Sequence, residues 1–132
     1  MPIHVVRLGT VRLPGEGTRL GTVRRPPRGV RREDFVRRDY YDVWLPELAP
    51  SAPVVSWALS EPWTSARWQR YVRTYRREMN ANGPRHLIAT LAALSHTTSM
   101  AVGCYCLDAS HCHRSLLAEL LAAAGAEIVT AP

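Results

Sequence analysis

Apolar positions along the chain change period several times, and each change marks an element. Ile3-His4-Val5-Val6 is a short apolar run of the kind that forms a first strand. From Thr64 or Ser65 the spacing becomes helical: Trp68, Tyr71, Val72, Tyr75 and Met79 recur at three- and four-residue steps and make one stripe. Asn82-Gly83-Pro84 ends that segment, and a second helix is expected from about Pro84 to Leu94, with Leu87, Ile88, Leu91 and Leu94 inward. Ser99 to Cys106 then reads as a buried strand, Leu107 to His111 as a loop, and Cys112 to Ala124 as a helix with Leu116, Leu117, Leu120, Leu121 and Ala124 on one side. Gly125 caps it, and Glu127 to Thr130 returns as a strand.

The segments between are less regular. Arg7-Leu8-Gly9-Thr10-Val11-Arg12 recurs as Arg19-Leu20-Gly21-Thr22-Val23-Arg24, which gives either two short β segments joined by a loop or a coincidence of arginine-rich composition. Arg24 to Gly29 is broken by Pro26 and Pro27 and should be an extended, arginine-studded loop. Residues 33–38 suggest a helical turn, Tyr40 to Pro46 an extended segment ended by proline, and Pro50 and Pro53 a continued irregular stretch. Strand, helix, strand over the last part of the chain is a βαβ unit with parallel strands and a right-handed crossover. The expected fold is α/β: a single domain over residues 1–132, with a mostly parallel sheet, helices at about 65–80, 84–95 and 112–124, and that C-terminal βαβ unit.

Composition narrows the class. A chain of 132 residues with 46% apolar content suits one core. No run approaches the roughly eighteen apolar residues of a membrane span, and Arg7 stands where a signal peptide would carry its apolar core, so a cytoplasmic protein without membrane contact is expected. The cysteines, odd in number, all lie between residues 104 and 112, so reduced thiols are expected rather than a disulfide framework. Net charge is +6 and all 17 basic residues are arginine, ten of them within residues 1–38 against Glu16, Glu33 and Asp34. Such a field attracts phosphate-bearing ligands or nucleic acid, although a GC-rich genome writes the same composition. Arg67, Arg70, Arg73, Arg76 and Arg77 on the first long helix make either a nucleic-acid-facing stripe or a solvated face.

Candidate chemistry concentrates at Cys112-His113-Arg114, where a thiol, an imidazole and a guanidinium open a helix. Unpaired N–H groups of a helix start favour thiolate and bind anions, and ligands in open α/β sheets sit beyond the carboxyl ends of strands. In the first reading Arg114, Arg24 and Arg28 hold an anion, Cys112 is the nucleophile and His113 carries the proton. In a second, Cys104 and Cys106, on one face of the strand, join Cys112 and either His111 or His113 as metal ligands. In a third, the arginines bind nucleic acid without catalysis. In the plainest, Cys104 and Cys106 are small core residues, His113 satisfies a carbonyl, and Arg114 pairs with Asp108 or Glu127. Cofactor and oligomeric state do not follow from these residues.

The segment Cys104 to Leu117, an apolar strand ending in cysteine, an acidic loop and Cys-His-Arg opening a leucine-rich helix, resembles the domain-of-unknown-function family 488. Arg24 to Gly29 is similar to that family's arginine-proline loop, and Asp42 to Ser51 to the tryptophan-containing segment that follows it in one branch. The resemblance covers most of the chain and implies the α/β fold more than any activity. It also implies departures: Cys106 stands where many members have glutamate, and Val23 where the branch often has aspartate.

Overall fold

The computed structural model describes residues 1–130. Its strands are β1 (Ile3–Arg7), β2 (Thr18–Gly21), β3 (Val43–Trp44), β4 (Met100–Cys104) and β5 (Ile128–Thr130), in the spatial order β3-β2-β4-β1-β5. All four pairings are parallel: β1 with β4 and β5, and β2 with β3 and β4. Parallel neighbours need long crossovers, and these supply the helices α1 (Ala52–Leu59), α2 (Ser65–Met79), α3 (Asn82–Leu94) and α4 (His113–Ala123). The expected mixed α/β fold is what forms. In the final β4-α4-β5 segment, β1 lies between the two strands.

Alternation along the strands separates two cores. Ile3, Val5, Leu20, Met100 and Val102 pack with α2, α3 and α4 on one face, where Tyr75, Leu117 and Leu121 are fully buried. On the other face Val6, Leu8, Val23, Tyr41 and Ala101 are covered by Phe35, Tyr40 and Tyr105. Tyr41 can lie on the sheet because Gly21 has no side chain: a Cβ there would stand 2.3 Å from the tyrosine ring.

Local rules explain the helix limits. Thr64 caps α2, its Oγ1 accepting from the Arg67 amide at 3.1 Å, and Gly125, at φ 107°, follows α4 in the left-handed region. Three expectations need correction. The irregular stretch around Pro53 is a helix, α1, because proline in the first turn lacks only an N–H that has no partner there. Leu94 is 50% exposed; the inward line of α3 runs Ile88, Leu91, Ala92 and then Ser95, so Leu94 falls to its side. Finally, the two copies of the repeat adopt different structures: the first leaves β1 at Arg7 and turns at Gly9, and only the second contributes a strand, β2.

Arginine content at the front of the chain is partly structural. Arg19 is fully buried, pairs with Glu16 at 2.8 Å, and donates to the carbonyl oxygens of Thr10 and Asp39. Arg12 makes a two-pronged contact with Asp42. Among the described residues, no helix is long and apolar enough to cross a membrane.

Candidate functional site

Strands β2 and β4 end side by side, and the chain leaving them meets the start of α4. Thr22, just past β2, donates from its amide and its Oγ1 to the Gly103 carbonyl, at 3.2 and 2.9 Å. His113 in turn ties α4 to this corner, its Nε2 hydrogen-bonded to the Thr22 carbonyl oxygen. Burial pushes the imidazole pKa down, so the ring is neutral and Nε2 carries the proton. That leaves Nδ1 as an acceptor facing the Cys112 sulfur at 3.9 Å.

Arg114 is buried and turns back on its own loop: Nη1 donates to the carbonyl oxygens of Cys106 at 2.7 Å and Cys104 at 3.3 Å. Neither Asp108 nor Glu127 is its partner, in contrast to the sequence expectation. Carbonyls at a strand end present partial negative charge, which takes the place of a carboxylate.

Three sulfurs converge here. Those of Cys104, Cys106 and Cys112 all lie within 4.8 Å of one another, with Cys104 and Cys106 at 3.6 Å. Cys104 and Cys112 are buried and Cys106 is exposed. Thiol hydrogen bonds from Cys104 and Cys112, helped by the Arg114 charge, pull the Cys106 pKa down to about 3. The same bonding to Cys106 pushes Cys104 up to about 11, and bonding to both neighbours together with burial drives Cys112 upward. Of the three sulfurs, Cys106 is thus the one whose thiolate form the surroundings favour, with Cys104 donating to it at 3.6 Å, and it is the one that solvent reaches.

His111 lies on the other side of the loop. Its Nδ1 contacts Asp108 Oδ2 at 3.0 Å, and its ring stacks on Trp63 at 5.8 Å between centroids and meets the edge of Trp68. Hydrogen bonds from Ser110 and His111 hold the Asp108 pKa below the carboxylate norm, so it stays ionised and orients the imidazole.

A cavity of about 630 Å³ joins these groups. Cys104, Cys106, Cys112, His111 and His113 line one part, and Trp63, Tyr71, Tyr40 and Tyr105 form its aromatic walls. Arg24, Arg25 and Arg28 line another part. Arg24 donates from Nε to the Pro50 carbonyl at 2.8 Å and from Nη2 to those of Pro46 and Ala49, which pins the proline-rich loop to the chain entering α1. Arg25 and Arg28 are exposed, and neither guanidinium meets a carboxylate or carbonyl among the described residues.

The structure thus brings Cys104, Cys106, Cys112, His111, His113, Arg24 and Arg28 around one cavity, with Arg114 buried against the Cys104 and Cys106 carbonyls. Sequence reasoning missed the exposure of Cys106, the free guanidinium of Arg25 and the Asp108–His111 pair, whose signal was the three-residue spacing in a loop. As soft-metal ligands the three sulfurs form a set of their own, which includes neither histidine.

The arginine stripe on α2 divides. Arg67 stacks 4.3 Å from the Trp57 ring centre and Arg70 4.9 Å, while Arg73, Arg76 and Arg77 join Arg85 around a second, apolar-floored hollow remote from the cysteines.

A family model described as "Active DUF488-N3 subclade" matches residues 3–125, which span β1, the arginine loop, the cysteine cluster and α4. The chain belongs to the DUF488 family. Within this DUF488 chain the matched range takes in every residue of the cavity described above. No curated protein and no solved structure matches the chain.

Proposed function

We propose that this DUF488 protein carries out thiol-dependent chemistry on a small phosphate-bearing ligand of nucleotide size, with Cys106 as nucleophile. The observation that carries the reading is the exposed Cys106 sulfur, 3.6 Å from Cys104, on a cavity lined by unpaired arginines. Arg25 and Arg28 hold the phosphate, with Arg24 fixing the loop that carries them. Aromatic walls stack a base or other planar group. Cys112 and Cys104 stabilise the thiolate, and His111, oriented by Asp108, delivers a proton to the leaving group. Relative to the sequence reading, the nucleophile moves from Cys112 to Cys106 and the proton carrier from His113 to His111, because all four border the cavity but Cys112 and His113 are buried, whereas Cys106 is exposed and His111 partly so.

The test is alkylation of the reduced protein with iodoacetamide, alone and with millimolar nucleoside phosphates, followed by peptide mapping and thermal shift. Preferential labelling of Cys106, slowed by a nucleotide that also raises Tm, supports the proposal. Labelling indifferent to every nucleotide, with no thermal shift, overturns it.

A soft cation on the three sulfurs is the second reading, and their spacing within 4.8 Å supports it. The buried Arg114 charge weighs against it, because it places positive potential at the cluster. Metal near one equivalent in protein purified without added metal would favour the cation. Nucleic acid as the phosphate source would show a steep loss of filter binding with salt.

A further inference from the structure

We propose that Cys104 and Cys106 also form a two-electron redox centre that reduces hydroperoxides. This rests on the proposed role of Cys106 as nucleophile, taken from its being the exposed sulfur of the three and 3.6 Å from Cys104, and adds an activity that substitution at a phosphate ligand does not require.

The geometry is that of a peroxide-reacting thiol with its resolving partner beside it. The two sulfurs are in van der Waals contact at 3.6 Å, and a disulfide at about 2.0 Å needs a modest rotation of one side chain. Cys106 can supply that movement from its side chain alone: β4 ends at Cys104, so Cys106 makes no ladder hydrogen bond, and its backbone stays held by Arg114 Nη1 on its carbonyl at 2.7 Å. Cys112 is less free, being the residue that opens α4, buried, with its carbonyl accepting from the Ser115 amide and hydroxyl. Cys106 alone of the three is exposed, on a cavity roomy enough to admit an alkyl hydroperoxide. Behind it, Arg114, held on the Cys104 and Cys106 carbonyls, places a buried positive charge on the side of the sulfur away from the cavity.

The electrons and atoms balance in two steps. The Cys106 thiolate attacks the terminal oxygen of ROOH; the O–O bond breaks, Cys106 becomes a sulfenic acid, and the alkoxide takes a proton and leaves as ROH. Cys104 then attacks the sulfenic sulfur; the S–O bond breaks, the Cys104 proton leaves with the hydroxide as water, and a Cys104–Cys106 disulfide remains. An external dithiol returns both residues to thiols and is itself oxidised.

The experiment treats the reduced full chain with equimolar hydrogen peroxide or cumene hydroperoxide, quenches with iodoacetamide, and reads intact mass and peptide links. The expected product has lost two hydrogens, carries a Cys104–Cys106 link, has a Cys112 that iodoacetamide alkylates once the quenched protein is unfolded in urea, and is restored by dithiothreitol. Dimedone should trap the sulfenic acid at Cys106 in Cys104→Ser, and Cys106→Ser should lose rapid peroxide consumption. Because Cys104 is buried, circular dichroism first establishes that its variant folds; the mass change of the unaltered protein decides the matter even where it does not. Three thiols still free after peroxide, direct passage to sulfinic acid, or a Cys106–Cys112 link would each overturn the proposal. If the link fails to form while a nucleotide still protects Cys106 from iodoacetamide, the redox activity falls and the phosphate-ligand reading stands.

Discussion

Arg114 donates to the carbonyl oxygen of Cys106 at 2.7 Å, so the third residue of the Cys-His-Arg segment holds the backbone of the loop that presents the reactive sulfur. A second bond, to Cys104 at 3.3 Å, extends that hold to the strand end. Hydrogen bonds from a charged donor contribute about 1.5–3 kcal/mol; without Arg114 the Cys106 carbonyl loses its bond, while the Cys104 carbonyl keeps the Leu8 amide at 2.9 Å. Arg114→Ala should therefore lose about 2–4 kcal/mol in urea unfolding, and the pH at which Cys106 alkylation reaches half its maximum should rise. Unchanged stability would mean the loop is held by something else.

The cysteine cluster and His113 together predict how stability varies with pH. Cys106 is depressed from 9.0 to about 3, so its contribution is present above the unfolded value and is lost as pH falls toward the folded one. His113, lowered from 6.5 by burial, acts in the same direction, since the native state prefers the neutral ring and acid charges it. Cys104 is raised from 9.0 to about 11, so its contribution is present below the unfolded value and disappears as pH climbs through that interval. Stability should therefore peak near 9.0, with the acid limb set by Cys106 and steepened below 6.5 by His113, and the alkaline limb by Cys104. Unfolding free energies across a pH series check this. Cys106→Ser should flatten the acid limb, and an acid limb unchanged in that variant would place the thiolate elsewhere.

Glu16 and Arg19 form a fully buried pair on which two other stretches of chain meet, since the same guanidinium holds the carbonyls of Thr10 and Asp39 and the Arg19 amide donates to Asp42. Breaking a buried pair leaves one charge uncompensated, at about 3–5 kcal/mol. Glu16→Gln should lose close to that amount in urea, with little change in the denaturant slope. A loss below about 1 kcal/mol would show water entering to solvate Arg19.

How much of this was legible in the sequence follows from which forces act locally. The helices α2, α3 and α4 announced themselves because their apolar period is set by burial against one sheet face, and β1, β4 and β5 because they are short apolar runs, β4 being buried on both faces. Helix α1 did not, since Pro53 reads as a breaker unless the first turn is recognised. The convergence of Cys104, Cys106 and Cys112 could be inferred from strand alternation and the helix start, but which sulfur meets solvent depends on Cys104 and Cys112 packing with Val6, Leu8, Val23 and Tyr41, which come from segments remote in the chain. Nor could sequence assign the arginines: Arg24 is consumed by carbonyls more than twenty residues on, and Arg19 by the Asp39 carbonyl as well as by Glu16 three residues before it, while Arg25 and Arg28 are left free.

Two glycines in one loop offer a controlled pair. Gly17 sits at φ 80°, and a Cβ there would stand 2.1 Å from the Ser99 carbonyl oxygen, where the loop enters β2 beside the start of β4. Gly15 has nearly the same φ, 75°, with nothing within 4 Å. Gly15→Ala should therefore lose only the left-handed penalty of about 1–2 kcal/mol. Gly17→Ala adds a clash with backbone and should lose about 2–5 kcal/mol. Thermal unfolding of the two variants side by side gives the comparison, and equal Tm values would show that the strand end yields freely.

Arg24, Arg25 and Arg28 line one cavity but differ in what their guanidiniums already hold, and that difference predicts opposite phenotypes. Arg24→Gln removes three bonds to the carbonyls of Pro46, Ala49 and Pro50 and should lower Tm, loosening the loop. Arg25→Gln and Arg28→Gln break no such contacts and should leave Tm near its starting value. Each should instead weaken nucleotide binding about tenfold, the effect of one lost charge-assisted contact to phosphate. Titration calorimetry with a nucleoside phosphate that gives a thermal shift, at two salt concentrations, reads this directly, because an exposed clamp is screened and a buried one is not. Should Arg24→Gln abolish binding in a fully folded protein while Arg25→Gln and Arg28→Gln bind normally, the phosphate lies deeper, against the loop wall, and the exposed pair serves only to raise the local potential.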